Sequence, residues 1–418
     1  MALPRSLAPL RHRRYAALWT GAFCSNIGTW MEAVAVGILV TEITHQAVWA
    51  AIVAAAGFVP NAFIGPLGGA LADRVPRRRL LLGTTAVQTA LAGALTALAA
   101  LNAVEPWAVT LIVLASGCAG ALGFPSYQSM MPDLVPREEI TAAAALGAAQ
   151  WNLGRVVGPA LAGLVIAAGG YEWAFAINTL SFLAVIAAIA PLELPVPTPK
   201  AGESIPRAIQ EGVRFALREP GIRAVMVYVA LNSLLAAPFI GLVAPMGKVV
   251  TGHARDASVL VTTQGIGAVF MALLLGGLAA RFGNRQVVLT AVTALPVALV
   301  LYAFAPSLAL SAAAIFAVGF LYLGCLSSFT SIAQLRTPPE LRGRVMSALM
   351  VLLGTLYPLG LLIQGALADT IGLRATTAGA AVILTVAIAT MRVLRPGFDH
   401  ELGDIAPRAD NVAIAAAE

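Results

Sequence analysis

Apolar residues in this chain neither alternate nor keep to one stripe of short helices. They run on for about 20 positions at a time between punctuations of charge, Gly and Pro, the length that crosses bilayer hydrocarbon. The windows fall near 16-43, 48-72, 80-101, 106-131, 141-168, 173-192, 222-248, 257-280, 286-304, 308-334, 344-369 and 373-394. A backbone in lipid must satisfy its own hydrogen bonds, so each run is predicted to be a helix, giving an all-α membrane protein with twelve transmembrane helices. Between the sixth and seventh windows lies a polar stretch opening on Pro195, Pro197 and Pro199. Its second half, Ile205 to Arg223, spaces Ile209, Val213, Ala216 and Leu217 for an amphipathic helix on the membrane surface. The domains expected are a six-helix bundle over 1-194, a linker with that helix over 195-221, a second bundle over 222-395 and a tail over 396-418.

Composition supports lipid as the solvent: 59% of residues are hydrophobic and 11% charged, against about 25% charged in globular chains. The net charge of +6 does not point to nucleic acid, because the basic residues punctuate apolar runs and form no patch interleaved with aromatics. Outside the spans nearly all Lys and Arg fall on the side of both termini, with only Lys248, Arg255 and Arg374 opposite. This predicts cytoplasmic termini, and it sets Trp49, Trp107 and Trp173 at the outer ends of helices 2, 4 and 6. The first apolar segment is long and ends in no small-residue cleavage site, so it reads as a span. Cys24, Cys118 and Cys325 sit inside apolar runs, and His12, His45, His253 and His400 fall in loops or tails. Neither set has metal-ligand spacing, so no metal and no cofactor is expected. No G-x-x-x-x-G-K-[ST] loop occurs, which argues against ATP as the direct energy source.

One loop repeats. Gly69-Ala70-Leu71-Ala72-Asp73-Arg74-Val75-Pro76-Arg77-Arg78-Arg79 has a faded copy, Gly277-Leu278-Ala279-Ala280-Arg281-Phe282-Gly283-Asn284-Arg285, in which Ala280 replaces the acid. Pro136-Arg137-Glu138 likewise echoes Pro338-Pro339-Glu340. Two six-helix halves around a long linker are the plan of a transporter with its site near midmembrane between the repeats.

The first loop resembles the loop between helices 2 and 3 of the major facilitator superfamily, with Pro76 where that motif has Gly. The stretches Ser25 to Ala35 and Asn152-Leu153-Gly154-Arg155-Val156-Val157-Gly158-Pro159 narrow the likeness, together with Pro125-Ser126-Tyr127-Gln128 and Pro132 to Pro136. They are similar to the transmembrane secretion effector branch, which includes enterobactin-type siderophore exporters, and the likeness runs from about residue 10 to 395. It implies the superfamily fold of two pseudo-symmetric six-helix bundles. It also implies a gate in which Asp73, on a loop built by Gly69, Arg74, Arg77 and Arg78, caps helix 11 near Gly343-Arg344 in the outward-facing state. A charge cluster that merely sets topology is the alternative. Ala280 should leave the mirror latch absent or weaker. Glu32 stands where the branch usually has Gln, so the resemblance implies no coupling role for it.

Only two ionisable groups lie deep in the spans, Glu32 in helix 1 and Arg155 in helix 5. A charge at the bilayer centre needs a partner, a wet cavity or a function. At 100° per residue Ser25, Thr29, Glu32 and Val36 share a face expected to line the cavity, with Trp30 nearly opposite. Trp151, Asn152, Arg155 and Pro159 share a face of helix 5. Arg keeps its proton, so Glu32 is the candidate proton carrier and Arg155 its counter-ion or an anion anchor, the alternatives being a permanent structural ion pair or an Arg155 bonded to backbone carbonyls. Tyr127, Gln128, Tyr228, Asn232, Gln264, Tyr357 and Gln364 could complete a polar cavity wall, or could satisfy neighbouring helices. Gly154, Gly158, Pro159 and Gly163 allow helix 5 to pack closely and bend, and resemble the helix-5 signature of antiporters.

The expectation is a proton-coupled secondary exporter of a small amphipathic compound, such as a drug or siderophore, working as a monomer in a bacterial cytoplasmic membrane. It is expected not to be an enzyme, since no His pair, acidic metal motif or buried Ser-Lys pair is present. An importer or facilitator of the same fold is the alternative; a non-transporting sensor or scramblase is the remoter one.

Overall fold

A computed structural model describes residues 5–72, 74–192, 205–339 and 341–403, and no strand occurs among them. After a short 3-10 turn the first half consists of α1 (Arg13–Thr44), α2 (Ala47–Phe63), α3 (Gly65–Ala72), α4 (Arg77–Ala100), α5 (Pro106–Asp133), α6 (Ile140–Gly169) and α7 (Tyr171–Ile189). The linker helix α8 (Ile205–Arg218) leads to α9 (Pro220–Leu231), α10 (Val243–Thr251), α11 (Ala257–Phe304), α12 (Leu308–Arg336), α13 (Arg342–Ile371), α14 (Leu373–Leu394) and a single turn, α15 (Phe398–Glu401).

Twelve crossings follow from three adjustments. First, α2 and α3 form one span bent by 44°, at a Gly65-Pro66 step where Pro lacks the helical N–H. Second, α11 is too long for one crossing, and Gly283 at φ 79°, ψ 151° breaks it into two limbs. A Cβ on Gly324 of α12 would meet both Met271 and Ala291, so the limbs double back beside the same helix. Third, helix 7 is a broken span. Between α9 and α10 run a π turn (Asn232–Ala236) and a 3-10 turn (Ala237–Ile240) containing Pro238. Pro238 has no N–H for the Leu234 carbonyl; Gln364 Nε2 of α13 supplies one at 3.1 Å and reaches the Leu235 carbonyl at 3.0 Å.

Large apolar side chains face outward along the spans, among them Leu164, Leu180, Leu273 and Val393, as hydrocarbon solvent requires. Trp107 and Trp173 stand exposed at the starts of α5 and α7, on the face opposite the termini, at the depth of an aromatic belt.

The halves touch from midmolecule to that far face. Gly354 of α13 meets Ala62 of α2, Gly365 meets Ala51, and Gly163 of α6 meets Ser258 of α11. At the far face the backbone N–H groups of Ala47 and Val48 donate to Asp369 Oδ1 and Oδ2 at 2.6 and 3.0 Å. Glu42 lies 3.6 Å from Arg255, and Lys248 bonds His45. On the face carrying the termini, Arg77–Asp133 (2.8 Å), His12–Glu139 (3.0 Å), Arg336–Glu219 (2.6 Å) and Arg392–Asp399 (2.9 Å) each tie elements within one half. Positions 69 and 343 would carry a Cβ into open space. Among the described residues the halves are therefore joined by polar contacts at the far face and by none at the terminal face.

The linker helix differs from expectation. It docks on α13, with Gly212 against the Arg344 backbone, Glu211 paired to Arg344, and Ala216 buried with Val345 and Ile222. Ala216 leaves the predicted lipid-facing set because the small residues of α8 permit this contact; Leu217 stays exposed.

Candidate functional site: a cavity between the halves

The site is built on α6. Gly158 lets α1 approach so closely that a Cβ there would lie 2.6 Å from Trp30 Cβ and 2.7 Å from the Ile27 carbonyl. That contact turns Trp30 towards Arg155, whose Cζ lies 5.9 Å from the indole centroid. One turn earlier Trp151 meets Trp30 edge-on at 6.0 Å and Phe124 of α5 at 6.3 Å. Trp151 and Phe124 are each about half exposed, at 48% and 49%. From the second half, Tyr322 of α12 and Tyr357 of α13 come within electrostatic reach of the Arg155 guanidinium. Tyr322 packs edge-on to Phe239 at 5.7 Å and Tyr357 to Phe58 at 5.0 Å. The result is an aromatic cluster around one fixed positive charge at midspan, where the two halves meet; this is the candidate cargo site.

Arg155 forms no hydrogen bond or ion pair among the described residues. A guanidinium at mid-bilayer costs roughly 2.5–3.5 kcal/mol on insertion scales, of which a cation–π contact returns about 0.5–2 kcal/mol. Its backbone carbonyl, deprived of a helical N–H by Pro159, abuts Gly265 of α11 across the interface.

Glu32 occupies a different setting. Asn178 of α7 donates from Nδ2 to Glu32 Oε2 at 2.7 Å, and Ser181 Oγ holds Asn178 by its carbonyl at 2.7 Å and by Oδ1 at 3.1 Å. A Cβ on Gly28 would lie 2.5 Å from Asn178 Oδ1, so the Ser25–Gly28–Glu32 stripe is the contact with α7. This corrects two expectations. The polar stripe of α1 faces a helix of its own half, with Ser25 buried and Thr29 exposed on its flank. Glu32 and Arg155 are not a pair, because they leave α1 and α6 towards different neighbours.

The other sequence candidates divide. Tyr357 belongs to the cluster around Arg155, and Gln128 is exposed one turn beyond Phe124. Tyr127 donates to Gln150 at 3.0 Å, and Asn152 folds back on the Ala148 carbonyl at 2.8 Å, as amide side chains on helices do. Gln264 is buried with Nε2 unpartnered. Asn232 opens the π turn, and Gln364 is spent on its carbonyls. Tyr228 is removed from the cavity: its hydroxyl donates to Asp399 at 2.6 Å and its ring lies between Phe329 and Phe398, because the segment after α14 folds back over it.

Among the gating candidates, Gly154 and Gly158 pack on α1, Pro159 sits within α6, Arg74 is exposed, and Arg78 donates to the Ala190 carbonyl. Arg77 joins Asp133 and the Ser129 carbonyl, while Arg344 pairs with Glu211. Gly69 and Gly343 face open space, and Asp73 lies outside the described residues.

Sequence reasoning missed Trp30, Phe124, Asn178, Tyr322 and Asp369. For Asp369 a signal was present: Gly69-Ala70-Leu71-Ala72-Asp73 recurs letter for letter as Gly365-Ala366-Leu367-Ala368-Asp369. The two copies end helices 2 and 11, and the second copy caps the start of helix 2.

A family model described as transmembrane secretion effector matches residues 5–411. The multidrug efflux pump Tap of Mycolicibacterium fortuitum is 31% identical over 88% of this chain and 91% of its own length. Macrolide efflux protein A of Streptococcus pyogenes is 27% identical over 86% and 90%. Among solved structures, the nucleoside transporter NupG superposes with a TM-score of 0.71 at 14% identity, covering 90% of this chain and 98% of that one. An inward-facing, occupied bacterial homologue of the lysosomal transporter Spinster gives 0.69 at 15% identity, over 94% and 97%.

Proposed function

The chain belongs to the transmembrane secretion effector family, and from that premise we propose that it is a monomeric, proton-coupled exporter of small amphipathic compounds in a bacterial cytoplasmic membrane. Its relatives bear the names of multidrug and macrolide efflux pumps, which supports a drug-like cargo. The face carrying the termini holds nearly all the Lys and Arg, which supports a cytoplasmic assignment for it. The face at which no polar contact joins the halves among the described residues is then the cytoplasmic one, the side from which an exporter loads.

The observation that carries proton coupling is Glu32. It is an acid midway along a span, held by the neutral amide of Asn178 and paired with no cation among the described residues. Such a carboxylate is relieved of its solvation cost by taking a proton. Helix α1 presents Glu32 to α7 and Trp30 to α6 and Arg155, so a change in the Glu32–Asn178 bond is transmitted to the cavity wall through one rigid element. In proteoliposomes, Glu32→Gln is expected to abolish proton-driven transport while substrate counterflow persists. Unaltered proton-driven transport by this variant would sink the assignment.

A further inference from the structure

Resting on the export reading, we infer that the cavity selects aromatic amphiphiles carrying an acidic oxyanion group, which binds Arg155 while the ring system lies among Trp30, Trp151 and Phe124. Arg155 is the charge within the cluster and cannot be discharged by losing its proton. Two internal uses for it are closed off by the geometry. Glu32 is turned to α7, and no backbone carbonyl or side chain accepts a hydrogen bond from the guanidinium among the described residues. Its planar fork of donors is thus unspent at the depth where a transporter holds its cargo, and carboxylate, sulfonate or phosphate oxygens fit that fork. Tyr322 and Tyr357 approach from the opposite half with hydroxyls that can donate to the same oxyanion. Trp30, Trp151 and Phe124 pack on one another at 6.0 and 6.3 Å into a continuous aromatic surface beside Arg155 on which a flat hydrophobic body can lie, and among the described residues that surface presents no acidic side chain to hold an ammonium.

The test uses the full chain in nanodiscs of zwitterionic lipid and three naphthyl amphiphiles that differ only in bearing a carboxylate, a carboxamide or a trimethylammonium group. Binding is read by quenching of tryptophan fluorescence. The carboxylate should bind about tenfold to a hundredfold more tightly than the amide, the worth of a charge-assisted hydrogen bond, and the ammonium most weakly. Arg155→Gln should bring the carboxylate down to that variant's own affinity for the amide, whose remaining binding reports that the variant folds; Arg155→Lys should retain part of the preference. Equal binding of all three by the parent protein, tighter binding of the ammonium, no binding of any, or a preference that survives Arg155→Gln would each overturn the inference. Proton-driven efflux is measured separately, so loss of anion preference with coupling intact refutes the selectivity alone.

Discussion

Gly158 and Gly343 show how differently two glycines in neighbouring roles are constrained. At 158 an added methyl would press on the Trp30 Cβ and on a backbone carbonyl, neither of which can move without shifting α1, whereas at 343 it meets nothing. Overpacking of this kind costs about 1–3 kcal/mol, so Gly158→Ala should lower the thermal unfolding midpoint and displace Trp30 from Arg155, while Gly343→Ala should leave the midpoint unlowered. Equal midpoints for the two variants would show that α1 and α6 yield to the methyl. The same contact explains what the sequence could and could not disclose at this scale. Glu32 and Arg155 stood out because a charge within an apolar run is visible in one dimension. Their neighbours did not, since a helical wheel orders side chains about one axis without naming the helix on each side. The Ser25–Glu32 stripe was read as the wet side because it is polar. In the folded chain the matching polar surface is Asn178 and Ser181, and the cavity is lined mostly by rings.

Helix 7 is the element whose behaviour depends most on one side chain from elsewhere. Pro238 and the π turn free backbone carbonyls inside the membrane, and Gln364 meets two of them from α13. Gln364→Leu should leave both unpaired at a cost of about 1–3 kcal/mol, seen as a lower unfolding midpoint and as faster amide exchange confined to the segment between α9 and α10. Exchange unchanged there would mean that water or local rearrangement already serves those carbonyls. The twelve spans were legible because length, apolarity and flanking charge are each sufficient signals. Internal breaks were not: Pro238 marks a spot where a hydrogen bond is lost, but whether the helix kinks, unwinds or borrows a donor is decided by the helix packed against it. The linker helix carried a similar ambiguity. Its period was visible, yet Gly212 and Ala216 make its closest surface a fit for α13, leaving Leu217 for the membrane.

At the scale of the whole molecule the two halves are held at the far face by few polar contacts, of which the Asp369 cap has the best geometry. Its two oxygens take the first two N–H groups of α2, donors that have no partner within their own helix and sit at the positive end of its dipole. Removing a cap typically costs about 1 kcal/mol, roughly fivefold in the ratio of far-face-closed to far-face-open molecules. The pentapeptide recurs in the sequence at positions 69–73 and 365–369, and of its two acids only Asp369 lies among the described residues. Loss of Asp369 should therefore tilt the balance in one direction. Spin labels at Asn102 and Pro306, exposed loop positions in opposite halves at the far face, should report a single short distance in the parent protein and a growing long component in Asp369→Ala. A pair of labels at the terminal face should shorten in step if the halves pivot about the packed middle where Gly354 meets Ala62. A far-face distance that does not respond would assign closure to the apolar contact of α2 with α13 and leave the cap a local feature of one helix end.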